Sequence, residues 1–242
     1  MRGRLRRLYA SFTRPVIANI YLHHVLDIWF TFISESKYGS GASIIRYADD
    51  AVFTFRNLAQ AKQFQELLKK RLEEYGISLN EAKTKALISG QREAARHKRL
   101  GLKMPTFTFL GFLHVWGTAR NRTRGNIFWR VKRRTCPKRF KKKLSEIKAD
   151  IRKNRHEKNL IARMKRVTTG YLNYFAINDN NKRAAQFVNE VKWMLFKYRN
   201  RRGQQRSYDW PTFTRILRKE KFPEPHIRHH LFFNLKSSST CR

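Results

Sequence analysis

The distribution of charge is the feature that most constrains how this 242-residue chain can fold. The sequence holds 54 Lys and Arg against 17 Asp and Glu, a formal net charge of +37. Residues 1–90 carry 14 basic and 8 acidic side chains, whereas residues 91–242 carry 40 and 9. Such an excess repels itself until an anionic partner neutralises it, so nucleic acid is the expected partner. The change in composition predicts two domains, with a boundary near residue 115.

The remaining composition narrows the class of protein. A hydrophobic fraction of 41% is enough to build cores, which argues against a disordered polybasic tail. No continuous apolar run reaches 18 residues, so we expect no membrane-spanning helix. Two cysteines, Cys136 and Cys241, are too few for a disulfide framework and indicate a reducing interior. The expected location is the bacterial cytoplasm; five Arg and no acid in residues 1–14 leave an organelle as the alternative.

The first part of the chain predicts an α+β domain. Dense apolar residues from Pro15 to Ile33 predict a largely buried helix, and Asn57 to Gly76 reads as a capped amphipathic helix. Residues 43–55, SIIRYADDAVFTF, predict a hairpin with its acids at the turn. Further strands are expected at 77–80, 85–88 and 107–115, and an exposed loop at 91–103. Together these elements predict a small antiparallel sheet with helices.

The second part predicts an all-α domain with a basic exterior. Residues 118–143 contain twelve Lys or Arg and no acid, with Phe128 and Trp129 among them, as in a strand that crosses a phosphate-facing surface. Three helices should follow, the first opened by Pro137, and each has a single apolar stripe. Three such stripes can bury one another in a three-helix bundle.

Asp49 and Asp50 are an acidic pair between apolar strands. Adjacent acids in a tight turn are usually solvated turn formers. Two strands rich in Ile, Val and Phe would instead hold the carboxylates on a rigid element, as a Mg²⁺ site requires. Both interpretations stay open on the residues alone.

The YADD segment resembles the signature of reverse transcriptases, particularly those of group II introns. PVIANIYL at Pro15–Leu22, LNEAKT at 79–84 and FLGF at 109–112 resemble further blocks of that family, in the same order. RVKRRT at 130–135 with Lys138 and Arg139, GYLNYF at 170–175 and RNRR at 199–202 resemble its maturase-specific region, domain X. The resemblance extends from Pro15 to about Leu235.

The resemblance implies a partial polymerase palm at 15–115 and a thumb/maturase domain at 118–235, between a basic segment at 1–14 and a tail at 236–242. The implied activity is RNA-directed DNA polymerisation, with binding of structured group II intron RNA to assist splicing and a DNA target as a possible further partner. In the family two Mg²⁺ ions serve the reaction. Asp49 would be the principal ligand and Asp50 a secondary one, with Tyr47 lining the primer end. Lys83 would approach the leaving phosphates, or is simply a solvated lysine.

Two departures from the family lead us to expect an N-terminally truncated chain with an incomplete metal site. The family carries a fingers region and another metal-binding Asp upstream of the ANIYL helix, and residue 1 begins after that point. A Pro-Gln-Gly-Gly-like segment is expected at 8–11, where LYAS stands. We therefore expect the isolated chain not to polymerise. The alternatives are an RNA-binding splicing cofactor without polymerase activity and a ribosomal-type structural RNA-binding protein.

The candidate RNA-binding residues are all cations of the second part of the chain. They are Arg120, Arg122, Arg124, Arg130, Lys132, Arg133, Arg134, Lys138, Arg139, Lys141, Lys142, Arg201 and Arg202. His226, His229 and His230 have no Cys or acid at zinc-site spacing, and we interpret them as an extended RNA-facing segment. The sequence leaves the oligomeric state open.

Overall fold

The computed structural model describes residues 15–120, 125–200 and 209–231. The chain divides into two compact units, Met1–Pro105 with Ala119–Arg130 and Thr106–Thr118 with Val131–Arg242. Both units contain strands as well as helices, so the α+β class holds for the chain. The prediction that residues 118–235 form an all-α domain is wrong, since the strand Ile127–Thr135 lies within that range. The assignment of domains to 15–115 and 118–235 stays a prediction.

The first unit begins with a long helix, Pro15–Tyr38, here called α1. It is π-helical over His23–Ile28 and Ser34–Tyr38 and α-helical over Trp29–Ile33. Only one stripe is buried, formed by Val25, Leu26, Phe30 and Ile33. The prediction of a largely buried helix is therefore wrong: Ile17 and Phe32 are 63% and 71% exposed, because this unit packs against one side of α1 only.

By length and composition alone, α1 could also cross a membrane. Its most apolar window has a mean hydropathy of 1.4, so the absence of an uninterrupted apolar run did not rule out such a helix. The same properties occur in core helices of soluble proteins, and the buried stripe of α1 packs into a core. The helix is thus weak evidence for a membrane.

The predicted hairpin and capped helix follow α1. Strands β1, Ser43–Tyr47, and β2, Asp50–Thr54, pair antiparallel. Helix α2, Leu58–Glu74, begins where the Asn57 side chain accepts a hydrogen bond from the Gln60 backbone N–H at 2.9 Å. Phe64, Leu68 and Leu72 on its buried stripe join the stripe of α1 in one core. Gly76, with φ of +67°, follows the helix end, a position that favours glycine.

Three predictions between residues 77 and 103 are wrong. Residues 77–80 and 85–88 form no strands, although Ile77 and Leu79 do pack against the core of the first unit. Residues 91–103 are not a loop throughout, because Gln91–Arg99 forms helix α3. Its residues are good helix formers, with Glu93 in the first turn and cations in the last turn, which suits the helix dipole. The polar composition of residues 91–103 does not exclude a helix.

In the second unit the single strand predicted at 107–115 is two strands with a turn. Strands β3, Phe107–Phe109, and β4, Phe112–Arg120, pair antiparallel, and β5, Ile127–Thr135, lies on the other side of β4. Leu110 and Gly111 form the two-residue turn with φ of +50° and +78°. Positive φ at both positions matches the twist of a hairpin, which explains why the FLGF segment reverses the chain.

The predicted helices of the second unit are present, together with a further one. They are α4, Pro137–Lys153, α5, Leu160–Phe175, and α6, Asn181–Arg199. Helix α7, Trp210–Lys219, was not predicted and contributes Phe213 and Leu217 to the same core. The expected stripes are buried, with Ile151, Leu160, Met164 and Val191 fully enclosed. The described part of this unit is therefore a four-helix core next to a three-stranded sheet.

Asn180 connects the sheet and the helices of the second unit. It is 1% exposed, and its Nδ2 donates to Thr135 Oγ1 at 2.7 Å and to the Phe175 carbonyl at 2.9 Å. Its Oδ1 accepts from the Thr135 backbone N–H at 2.9 Å. A buried amide with these bonds joins the end of β5 to the end of α5, and each bond lost there leaves a polar group without water.

We expect Asn180→Ala to lower the free energy of unfolding by about 2 kcal/mol, because it leaves the buried Thr135 N–H unsatisfied. Chemical denaturation of the purified protein measures this change. The matched control is the neighbouring exposed Asn181→Ala, for which we expect a change within about 0.5 kcal/mol. Equal effects of the two substitutions would contradict the role of Asn180.

Candidate functional site

The acidic pair lies at the tip of the β1–β2 hairpin. Tyr47 and Asp50 are cross-strand partners, so Ala48 and Asp49 form a two-residue turn. Ala48 has a φ of +53°, a left-handed conformation that costs a non-glycine residue roughly 1–2 kcal/mol. Backbone strain of this kind persists only where the surroundings hold it in place.

Arg46 is the residue that holds this turn. Its side chain is 13% exposed, and its Nη1 donates to the Ala48 carbonyl at 2.9 Å and to Asn19 Oδ1 at 3.0 Å. Its Nε and Nη2 donate to both oxygens of Asp27, at 2.8 and 2.6 Å. One guanidinium thus ties the strained turn to two positions on α1, in the bidentate geometry that arginine favours.

Asp27 is the counter-charge of this network. Hydrogen bonds from Arg46 hold the pKa of its carboxyl below the usual value, against the opposing effect of partial burial. His23 contributes a further lowering, with Nδ1 at 3.3 Å from Asp27 Oδ2. Both Asp27 oxygens are engaged, so this carboxylate does not join Asp49 and Asp50 as a third acid.

Sequence reasoning missed Arg46 as a positioning residue. The signal was available: along β1 the burial alternates, and Arg46 occupies an inward position in line with Ile44. An inward arginine needs a carboxylate partner, and Asp27 is the acid within the apolar segment at 15–33. The pattern of two separate elements could therefore have suggested the pair.

The residues described do not fit a complete two-metal site. Asp49 and Asp50 are both exposed, Asp49 in the turn and Asp50 at the first position of β2. Nowhere in residues 15–120, 125–200 and 209–231 do three or more His, Cys, Asp or Glu side chains come together to hold a metal ion. The turn offers two hard oxygen ligand groups, which is fewer than Mg²⁺ catalysis needs.

The other two residues predicted near the primer are exposed. Tyr47 is 66% exposed beside Asp50. Lys83 lies in the turn that follows Leu79, where its backbone N–H donates to the Asn80 carbonyl at 3.1 Å. Among the described residues, Lys83 makes no hydrogen bond or ion pair with the acidic turn. Both residues are accessible, and their roles stay predictions.

The predicted cations of α4 form one exposed face. Lys138, Arg139, Lys141 and Lys142 are exposed, and so is Lys143, which was not among the predicted residues. Phe140, Leu144 and Ile147 turn inward. Arg139 lies close to the β3–β4 turn. A Cβ added to Gly111 of that turn would be 3.2 Å from Arg139 Nη1. The helix begins at Pro137 and so presents these side chains within its first two turns.

The remaining predicted cations differ in their surroundings. Arg133 lies 3.8 Å from the buried carboxylate of Asp179, and the stem of Lys132 covers Gly117. Arg134 is exposed. In the first unit, Arg120 donates to the Gly125 carbonyl at 3.1 Å, and Arg130 is half-buried. Four further residues of the set lie outside the described residues: Arg122, Arg124, Arg201 and Arg202.

The histidine segment is held to the helices of its own unit by side-chain and backbone contacts. His229 Nε2 is 2.7 Å from the Asn173 carbonyl, and its backbone forms a bridge with Ile177. His226 Nδ1 is 3.1 Å from the Glu224 carbonyl. These contacts fix the course of residues 224–230, and they explain why the three histidines do not converge on one point.

Comparison with known families places the first part of the chain. Residues 13–114 match the family described as reverse transcriptase (RNA-dependent DNA polymerase). The matched range includes the YADD hairpin, both helices that cover it and the FLGF turn. No curated protein matches the chain.

We expect Asp27→Asn to make the protein less stable at neutral pH, by about 2 kcal/mol, because a charge-assisted pair is lost. Since the folded pKa of Asp27 lies below its unfolded value of 3.8, the contribution is present above that value and is lost as the pH falls through the folded pKa. Thermal melts between pH 7 and pH 2 should therefore converge for the wild type and the variant in acid. A difference in melting temperature that stays constant from pH 7 to pH 2 would contradict a stabilising role for the ionised Asp27 carboxylate.

Proposed function

We propose, from the reverse transcriptase domain at residues 13–114, that this chain is a group II intron reverse transcriptase/maturase protein whose retained property is binding structured intron RNA. A reverse transcriptase domain implies nucleic-acid binding in general, and RNA-directed DNA polymerase is the activity of its family. The finer assignment to intron RNA and splicing is supported by the maturase-like motifs at 130–139, 170–175 and 199–202.

The observation that carries the proposal is the exposed cationic face of α4. Five of the seven residues from Pro137 to Lys143 are Lys or Arg, and all five are exposed. Such a face destabilises the unbound protein, because like charges within one helical turn repel each other. Phosphates relieve that repulsion and release their own counterions, so a polyanion is the partner that this face suits.

The proposal of RNA rather than DNA rests on the maturase-like motifs, and exposed aromatic side chains add support. Phe128 and Tyr174 are 40% and 50% exposed in their respective units. Exposed rings can stack on unpaired bases, which are abundant in folded RNA and rare in duplex DNA. A DNA target remains a further proposed partner because the polymerase family acts on both nucleic acids.

The second candidate function is a splicing cofactor without polymerase activity. It is favoured by the acidic turn, where the described residues supply two carboxylates and Asp27 is engaged by Arg46. The two candidates share RNA binding and differ only in DNA synthesis. A ribosomal-type structural protein is disfavoured by the reverse transcriptase match.

We expect the fourfold substitution of Lys138, Arg139, Lys141 and Lys142 to Glu to weaken binding to a structured RNA strongly. Loss of up to four phosphate contacts should lower the slope of log affinity against log salt by about 3. Filter binding across a salt series measures both quantities. The control reverses four dispersed exposed lysines, Lys62, Lys70, Lys85 and Lys148, and so changes the net charge equally. Equal losses in the two variants would mean that only total charge matters.

We expect the 242-residue chain alone not to extend a primer annealed to an RNA template in Mg²⁺. The reason is that a two-metal reaction needs carboxylates from more than one segment, whereas Asp49 and Asp50 share one turn. Incorporation of labelled nucleotide should equal that of an Asp49→Asn control. Robust incorporation that Asp49→Asn abolishes would show that another carboxylate completes the site, and would favour the polymerase over the cofactor.

A further inference from the structure

A cleft lies between α4 and α5 in the second unit, with a volume of about 710 Å³. Its rim is formed by cations and its floor by Gly170 and aromatic residues of α5. We infer that this cleft holds one unpaired nucleotide of a bound RNA, an inference that rests on the RNA binding proposed above. The volume falls in the range of clefts that enclose small organic ligands, roughly 300–1,000 Å³.

The rim of the cleft suits a phosphate. Arg139, Lys142 and Lys143 come from α4 and Arg166 from α5, and all four are exposed. The acid of the lining, Glu146, lies 3.4 Å from Lys143 Nζ and is thus paired within the rim. Four cations around one paired carboxylate leave a net positive opening, which a nucleotide phosphate would neutralise.

The floor suits a base. Tyr174 is 50% exposed, and its ring stacks on Phe112 with an interplanar angle of 20° and a centroid distance of 5.6 Å. Its hydroxyl donates to the Leu110 carbonyl at 2.8 Å. These two contacts fix the ring before any ligand arrives, so stacking a base on it would not require ordering a loose side chain.

Gly170 is the residue whose presence the fold does not otherwise explain. It lies in the interior of α5, where glycine is less favourable than alanine. A Cβ built on it would meet no atom within 4 Å, so close packing does not demand a glycine. Its place in the lining gives a reason: a bare backbone deepens the floor beside Tyr174 and leaves room for a flat ring.

The occupant is an unpaired nucleotide rather than a duplex segment. Bases inside an RNA helix are stacked on their neighbours and cannot present a face to Tyr174. A bulged or looped nucleotide can place its base on the floor while its phosphate meets the rim. The cleft would therefore select RNA for an unpaired position, whereas the α4 face as a whole would bind any phosphate backbone.

The experiment compares the full chain on two RNA hairpins that differ by one bulged nucleotide. The wild type should bind the bulged hairpin at least about fivefold more tightly than the paired hairpin, given the usual contribution of one stacked base. Gly170→Leu should remove that preference while the melting temperature is kept or raised, because leucine favours a helix more than glycine does. Tyr174→Ala should also remove it, and Tyr174→Phe should retain it because the ring stays.

A matched charge pair separates the cleft from the general basic face. Arg139→Glu with Lys142→Glu should lower both affinities and the preference, since both side chains line the cleft. Lys138→Glu with Lys141→Glu, on the same helix but outside the lining, should lower both affinities and keep the preference.

The outcomes are distinct. No preference in the wild type, or a preference that survives both Gly170→Leu and Tyr174→Ala, would overturn the cleft assignment and leave RNA binding intact. Failure of the wild type to bind either hairpin would instead overturn the proposed function. An equal loss of preference in the two charge pairs would also count against the cleft.

Discussion

Mutual repulsion among lysine and arginine side chains is the constraint on which the architecture of the second unit depends. The ranges Thr106–Thr118 and Val131–Arg242 that form this unit carry 31 cations and 8 acids, so its helices face most of their charges outward and bury a narrow apolar stripe. Ile151, Leu160 and Val191 on those stripes are completely enclosed. The same segregation that builds the core leaves the first two turns of α4 with a strongly cationic exposed face, so the fold and the proposed binding surface have one cause.

The first unit does the opposite with one ion pair, because Arg46 and Asp27 are turned partly inward. Arg46 donates hydrogen bonds to Asp27, Asn19 and the Ala48 carbonyl. A half-buried arginine is costly unless it is fully bonded, and here its bonding also secures a strained turn. The position of Asp49 is thus set by packing and by hydrogen bonds far from the carboxylate itself. That coupling links the stability of the helix–hairpin contact to the chemistry available at the turn.

The basic face and the cleft would contribute to RNA recognition in different ways. Contacts between exposed cations and phosphates supply affinity that depends on salt and carries no sequence information. The cleft would add selectivity for shape, because Gly170 and Tyr174 restrict which groups can enter between the two cationic helices. A protein that recognises folded RNA benefits from both, since helices and unpaired nucleotides occur together in such molecules.

Local patterns in the sequence determined the elements that depend on neighbouring residues. The β1–β2 hairpin, the Asn57 cap of α2 and the stripes of α4, α5 and α6 were all predicted, because each is specified by turn chemistry, capping or helical periodicity. Only the tertiary structure decided the rest. Whether Ile77 and Leu79 form a strand depends on a partner strand, and which side of α1 is covered depends on what packs there. The Arg46–Asp27 pair and the cleft at Gly170 join residues 19 or more positions apart, a relation that no local pattern encodes.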